Sequence, residues 1–366
     1  LRRETGGESI NEEVTTGWLE ERLIGIYKRT HLPEPNEYEK LIEKVNTVLL
    51  YEDAGIRPYG MDGLPGGVVF LRQDIPTILV PDLHARVDFF LEVLLHRDEY
   101  GVSNLQKLAS GALQIVCVGD GFHAEGRASR RWSLAFEEYS NRFRKHEFMD
   151  EEIRESLGVM EMVKEVKTAF PSSFHFLKGN HENITNEYGN GNYSFRKFSY
   201  EGAMVVSFME KFYGNDFILS YSQFEKNLPL LAVGKNFLVS HSEPAAFFDF
   251  EDLIEYRERM EVVYGLTWTA NGEAEEGSVQ RMLEYYLKIE NLEGCYYFGG
   301  HRPVEGLYNL RAGGKYVQFH NPNRFLIAMI KNDRPIDLEE DIFEIEKNVS
   351  TLFEEKGREG RGCQDL

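Results

Sequence analysis

Six side chains in this 366-residue chain have the types that bind metal ions, and each stands just past a short apolar run. Asp82 and His84 follow the run 77–80, Asp120 follows 114–118, and Asn180 follows 173–177. His241 follows 236–239 and His301 follows 295–298. Taken singly, an Asp or His at the end of an apolar run reads as a loop residue or a cap. Together, these residues offer hard oxygen and imidazole nitrogen without thiolate, a donor set suited to Zn²⁺, Fe or Mn²⁺. A lone structural zinc takes about four ligands. Six, including a carboxylate with two oxygens, suit a pair of ions roughly 3.5–4 Å apart, which activates water for in-line attack on phosphorus. Asp120 is the candidate bridge. His181, directly after Asn180, is poorly placed to face the same ion and is free to protonate a leaving group. Arg86, Arg127 and Arg302 lie beside ligand positions and are candidate clamps for a charged phosphoryl group.

Positioning such residues requires strands that end together. In α/β sheets, ligands gather at the carboxyl ends of strands. The runs named above, with 67–71, 316–319 and 325–330, are short and rich in β-branched and aromatic residues, as buried strands are. Helical stretches alternate with them at 87–96, 201–212 and 279–289, which predicts an α/β layered fold. Residues 1–65 read as a helical N-terminal attachment, broken at His31-Leu32-Pro33-Glu34-Pro35. Residues 66–331 read as the catalytic domain, with a charged helical insertion at 128–169. Residues 332–366 form an acidic tail, expected to be helical as far as Phe353. Within the insertion, Trp132, Phe136, Tyr139 and Phe143 recur at helical spacing and are expected to face the core, whereas Arg130 and Arg131 are expected on a solvated face. His175, inside an apolar run, is expected to be packed. For His320 and Glu182, the residues leave open whether they border the site or stand in surface loops.

The formal charge is −20, from 61 acidic and 41 basic side chains. Such a surface disfavours broad nucleic-acid binding and docking on anionic membranes, so an anionic substrate needs cations in the pocket itself. No run of eighteen apolar residues is present, so no membrane span is expected. Cys117, Cys295 and Cys363 lack zinc-site spacing. An odd count without a framework points to reduced thiols and a cytoplasmic setting. No signal peptide is visible, and the opening at Leu1 rather than methionine leaves a processed leader open.

The order of these motifs resembles the calcineurin-like metallophosphoesterases, nearest to the Ser/Thr phosphoprotein phosphatase branch. The matching pieces are Pro81-Asp82-Leu83-His84-Ala85, Gly119-Asp120-Gly121-Phe122-His123, Gly179-Asn180-His181-Glu182, Ser240-His241 and Gly300-His301. Leu228-Pro229-Leu230, Leu266-Thr267-Trp268 and His320-Asn321-Pro322-Asn323 fall where that branch has its Leu-Pro step, Leu-Leu-Trp segment and Ser-Ala-Pro-Asn turn. The resemblance implies a β-sandwich of two sheets flanked by helices. It also implies two metal ions (Mn, Fe or Zn) on Asp82, His84, Asp120, Asn180, His241 and His301, with His181 as general acid. The expected activity is phosphomonoester hydrolysis, on a phosphoprotein or a small phosphorylated molecule. A phosphodiesterase, a dinucleoside-polyphosphate hydrolase or a degenerate binding module are the alternatives. The second motif departs from the family. Where the family has Asp-Arg-Gly, this chain has His123-Ala124-Glu125-Gly126-Arg127. Glu125 or His123 is the expected partner of His181, and Arg127 the expected phosphate grip, from shifted positions.

Overall fold

Among the described residues eleven strands form, eight of them on the apolar runs named above: β1 Val68–Phe70, β2 Thr77–Val80, β3 Gln114–Cys117, β4 Phe174–Phe176, β5 Leu231–Val233, β6 Phe237–Ser240, β7 Tyr296–Gly299, β8 Asn309–Arg311, β9 Tyr316–Gln318, β10 Leu326–Ile330 and β11 Ile342–Glu344. The computed structural model describes residues 7–348, with side chains from Thr16 onward. The strands pair into a five-stranded sheet, β11-β10-β2-β3-β4, and a six-stranded sheet, β1-β5-β6-β7-β9-β8. Within the first, β2, β3 and β4 run parallel; within the second, β6, β7 and β9 run parallel. Each parallel set therefore ends its strands on one side.

Strand alternation divides the core. Ile115 and Cys117 of β3 pack with the helices on one side, while Val116, with Val118 just beyond the strand, packs between the sheets. On the other sheet, Phe237 and Val239 of β6 face the inter-sheet core and Leu238 faces a second helical layer. The result is a helix–sheet–sheet–helix sandwich, as the resemblance implied.

The N-terminal helices are Gly7–Lys28 and Pro35–Leu50, the second with proline in its first turn where the missing N–H costs nothing. Both lie against the helix Glu147–Ala169. Arg22 pairs with Glu161 at 2.8 Å, and the Tyr38 hydroxyl donates to the Leu157 carbonyl at 3.0 Å.

Several expectations change. The stretch 128–169 is two helices, Ser129–Ser140 and Glu147–Ala169, turned against each other through Arg142 and Phe143 at positive φ. Arg131 is buried, not solvated, because it pairs with the buried Glu152 of the second helix. Phe136 is 37% exposed, while Trp132 and Phe143 are buried as expected. The tail makes one helical turn, Leu338–Asp341, and then β11, which pairs with β10 rather than continuing a helix. The expected helix beyond residue 348, and Cys363, lie outside the described residues.

Candidate metal centre

The loops after β2, β3 and β4 bring Asp82, His84, Asp120, Asn180 and His181 together from one sheet. The loops after β6, β7 and β9 bring His241, His301 and His320 from the other. Asp120 Oδ2 lies 3.3 Å from His241 Nε2, 3.6 Å from His84 Nε2 and 3.8 Å from His181 Nε2. Asn180 Oδ1 is 2.9 Å from both His241 Nε2 and His301 Nδ1. All six expected ligands thus share one buried site, and His181 adjoins it.

The local backbone is built for this convergence. His84, Asp120 and His301 adopt left-handed conformations, with φ of 41°, 51° and 61°. Such conformations are disfavoured for side chains with a Cβ and gather at functional sites. Gly300 has no room for a side chain, since a Cβ there would collide with Asp82 Oδ1. Glu182 is buried and ties the loops, accepting the backbone N–H of Gly179 at 2.7 Å and those of Asp120 and Gly121 at 2.8 Å. Its role is therefore to support the ligand loops. Burial and the neighbouring Asp120 push its carboxyl up to about 7.

The electrostatics favour cations. Burial opposes ionisation of Asp120, yet His241, His181 and His84 hold its carboxyl well below the usual range. Burial depresses the His241 imidazole, but Asp120 and Asp82 outweigh it and raise the ring to about 9. His301 falls to about 3 through burial and the neighbouring His241. The ring orientations suit ligation. His84 Nδ1 lies 2.9 Å from the His123 carbonyl and His241 Nδ1 lies 3.1 Å from the Val118 carbonyl. Donating there through Nδ1–H turns each Nε2 inward, where a bound ion would take the place of a proton.

The residues fit a metal pair. Among the described residues, Asp82 Oδ1, His301 Nε2 and His320 Nδ1 are buried without a hydrogen-bond partner. Buried polar atoms of this kind ordinarily find one. Three overlapping sets have ligand atoms within 4.8 Å of one another: Asp82, His84, His320; His84, Asp120, His181; and Asp82, Asp120, His241. The buried His/Asp clusters have the composition and spacing of a dinuclear site.

The remaining candidates are placed differently. His123 Nδ1 lies 3.0 Å from His181 Nδ1, so His123 is the side chain facing the expected acid. Glu125 instead meets His320, with Oε2 2.9 Å from Nε2. Arg86 is buried and spends its guanidinium on the carbonyls of Asp82, Leu83, Asn321 and Arg324. Arg127 reaches the Ala85 carbonyl and Glu155 and lines a cavity of about 250 Å³ beside His84 and Glu125. Lys197, which the sequence did not single out, lines the same cavity 3.5 Å from Glu125. Arg302 is exposed next to His301. His320 is the ligand-type residue that sequence reasoning left undecided. The signal was present, since it follows the apolar run of β9 as His301 follows β7.

Comparison with solved structures places the architecture. A protein serine/threonine phosphatase from Saccharomyces cerevisiae, described as similar to human phosphatase PP5, superposes with a TM-score of 0.52 at 14% identity, covering 86% of this chain and 89% of that one. The chain has the calcineurin-like phosphatase fold. A cold-active protein-tyrosine phosphatase of a psychrophilic Shewanella species matches at a TM-score of 0.42 and 14% identity, over 76% of this chain and 82% of that one. No family model matches the sequence, and no curated protein matches it. On this phosphatase fold, the ligand-bearing loops sit at the strand ends of both sheets. No helix among the described residues is long and apolar enough to cross a membrane.

Proposed function

We propose that this chain hydrolyses phosphomonoesters with two bound divalent or transition-metal ions, acting on a phosphoprotein or a small phosphorylated molecule. The observation that carries the reading is the convergence of imidazoles from both sheets on the Asp120 carboxylate, at 3.3–3.8 Å. The mixed oxygen and nitrogen donors suit Mn, Fe or Zn. Two such ions, when bound, act as Lewis acids on water and on the phosphoryl oxygens.

The protein's own groups do the rest. Asp82, His84 and Asp120 would hold one ion, and Asp120, Asn180, His241 and His301 the other. His181 faces the leaving oxygen. Burial, with the nearby His84 and His123, pushes its imidazole well below its usual value, so the ring is neutral and must donate an N–H. Donation from His123 Nδ1 to His181 Nδ1 leaves the proton on His181 Nε2, the atom on the Asp120 side. His123 is thereby a positioning residue for the acid. Arg127, Lys197 and Arg302 supply positive charge around the phosphoryl group. Residues 66–331 form the catalytic unit in this reading, with 1–65, the insertion 128–169 and the tail 332–366 added to it. The free, buried thiols of Cys117 and Cys295 support a reducing, cytoplasmic setting.

The test couples elemental analysis of purified protein to a panel of aryl and alkyl phosphate mono- and diesters. About two ions per chain and monoester turnover abolished by chelation are expected. Two ions without any ester hydrolysis would favour a binding module. Faster turnover of diesters would favour a phosphodiesterase.

A further inference from the structure

We propose that His320 is an additional protein ligand, bound to the ion that Asp82 and His84 hold, with Glu125 as its positioning residue. This rests on the dinuclear reading above and adds to it a residue that neither the motif order nor the resemblance assigned. The ring of His320 is fully buried, and Nδ1 has no hydrogen-bond partner among the described residues. That nitrogen lies 4.0 Å from Asp82 Oδ2, on the side where the His84 ring stands, 5.4 Å away between centroids. A buried imidazole nitrogen left unpaired is costly; a cation between it, Asp82 and His84 removes the cost.

The opposite nitrogen decides the tautomer. His320 Nε2 lies 2.9 Å from Glu125 Oε2. With the carboxylate accepting Nε2–H, the Nδ1 lone pair must face Asp82. This is the carboxylate–histidine–metal relationship in which an outer carboxylate orients the ring and raises its basicity. Glu125 suits that part. Its Oε2 stands within hydrogen-bond reach of the ring nitrogen, and its Oε1 lies 3.5 Å from Lys197 Nζ. The shifted position of Glu125 in the second motif therefore has a physical correlate: its carboxylate goes to His320 rather than to His181. The first ion then has two imidazoles, His84 and His320, besides its carboxylates. That donor set shifts preference from Mn²⁺ toward Zn²⁺ or Fe.

The test is metal stoichiometry and affinity, independent of turnover. Full-length wild type, His320→Ala, His320→Gln and Glu125→Gln are chelated, titrated with Zn²⁺ by calorimetry, and analysed for bound metal after dialysis. Wild type should hold two ions. Both His320 variants should keep one ion at wild-type affinity and bind the other at least tenfold more weakly. Glu125→Gln should keep both, with one weakened roughly tenfold. Melting of the chelated proteins shows which variants fold, and either His320 variant suffices. A folded His320 variant that binds two ions with wild-type affinities overturns the proposal and leaves the functional reading standing. A wild type that binds no ions sinks both.

Discussion

At the scale of single residues, His181 and Asp120 are near neighbours with separable tasks. Removing the His181 imidazole takes away a proton donor but none of the six expected ligands. His181→Ala should keep both ions and lose about 10²–10⁴-fold in turnover on alkyl phosphates, whose leaving oxygen needs a proton. A p-nitrophenyl ester, with its good leaving group, should lose much less. Equal losses on both esters would remove His181 from the acid role. His175 offers a second residue-scale test. It lies in the middle of β4, where burial and the nearby Lys167 push its imidazole down to about 3. The unfolded chain takes up this proton near pH 6.5 and the folded chain does not. The stability contribution is therefore intact above pH 6.5 and is lost as pH falls toward 3, by roughly 1.4 kcal/mol per unit. Urea titrations at pH 6.5, 5.5 and 4.5 should show a shallower decline for His175→Leu than for wild type. Parallel declines would contradict the shift. The convergence of the six candidate ligands was legible in the sequence because each ended an apolar run, so a strand rule sufficed to gather them. The partner of Glu125 was not legible. Position along a loop does not fix which way a carboxylate points, and the chain turns it to His320 instead of His181.

At the scale of elements, the paired helices Ser129–Ser140 and Glu147–Ala169 reach into the site. Glu152 accepts the Ala124 N–H at 2.8 Å and the Ser156 hydroxyl at 3.2 Å, and Ser156 in turn accepts the His123 N–H at 3.2 Å. Arg131 neutralises Glu152 from the neighbouring helix, with Nε 3.0 Å from Oε2. Arg131→Met should therefore strand a buried carboxylate and cost about 3–5 kcal/mol, read by denaturant unfolding. Turnover should fall with it, because the loop holding His123 and Glu125 loses its anchor. Adding Glu152→Leu should recover much of the stability but not the turnover. Unchanged unfolding in Arg131→Met would show that the pair carries no weight. The helices themselves were legible from their periodicity. The burial of Arg131 was not, since spacing within one helix cannot reveal an acidic partner on the next.

At the scale of the molecule, the centre joins two sheets that otherwise meet through apolar packing. Ions bound only by the folded chain stabilise it by mass action, by about 2.7 kcal/mol at a hundred times the dissociation constant. The melting temperature should climb with added Zn²⁺ or Mn²⁺ and drop on chelation. A melting temperature indifferent to both would argue against a centre spanning the sheets. The layered α/β class could be foreseen from alternating strands and helices. The strand order could not, because β1 pairs with the distant β5, and β10 returns antiparallel beside β2. Such long-range pairings leave no local trace in the chain.

The candidate donors are split across that seam, with the oxygen-rich half contributed early in the chain and most of the nitrogen contributed late. A ribosome must finish β9 before the last imidazole exists to close the cage. Full loading with both ions thus waits on strands made late in the chain, and a product that ends before β9 should hold its metal more weakly than the full chain does.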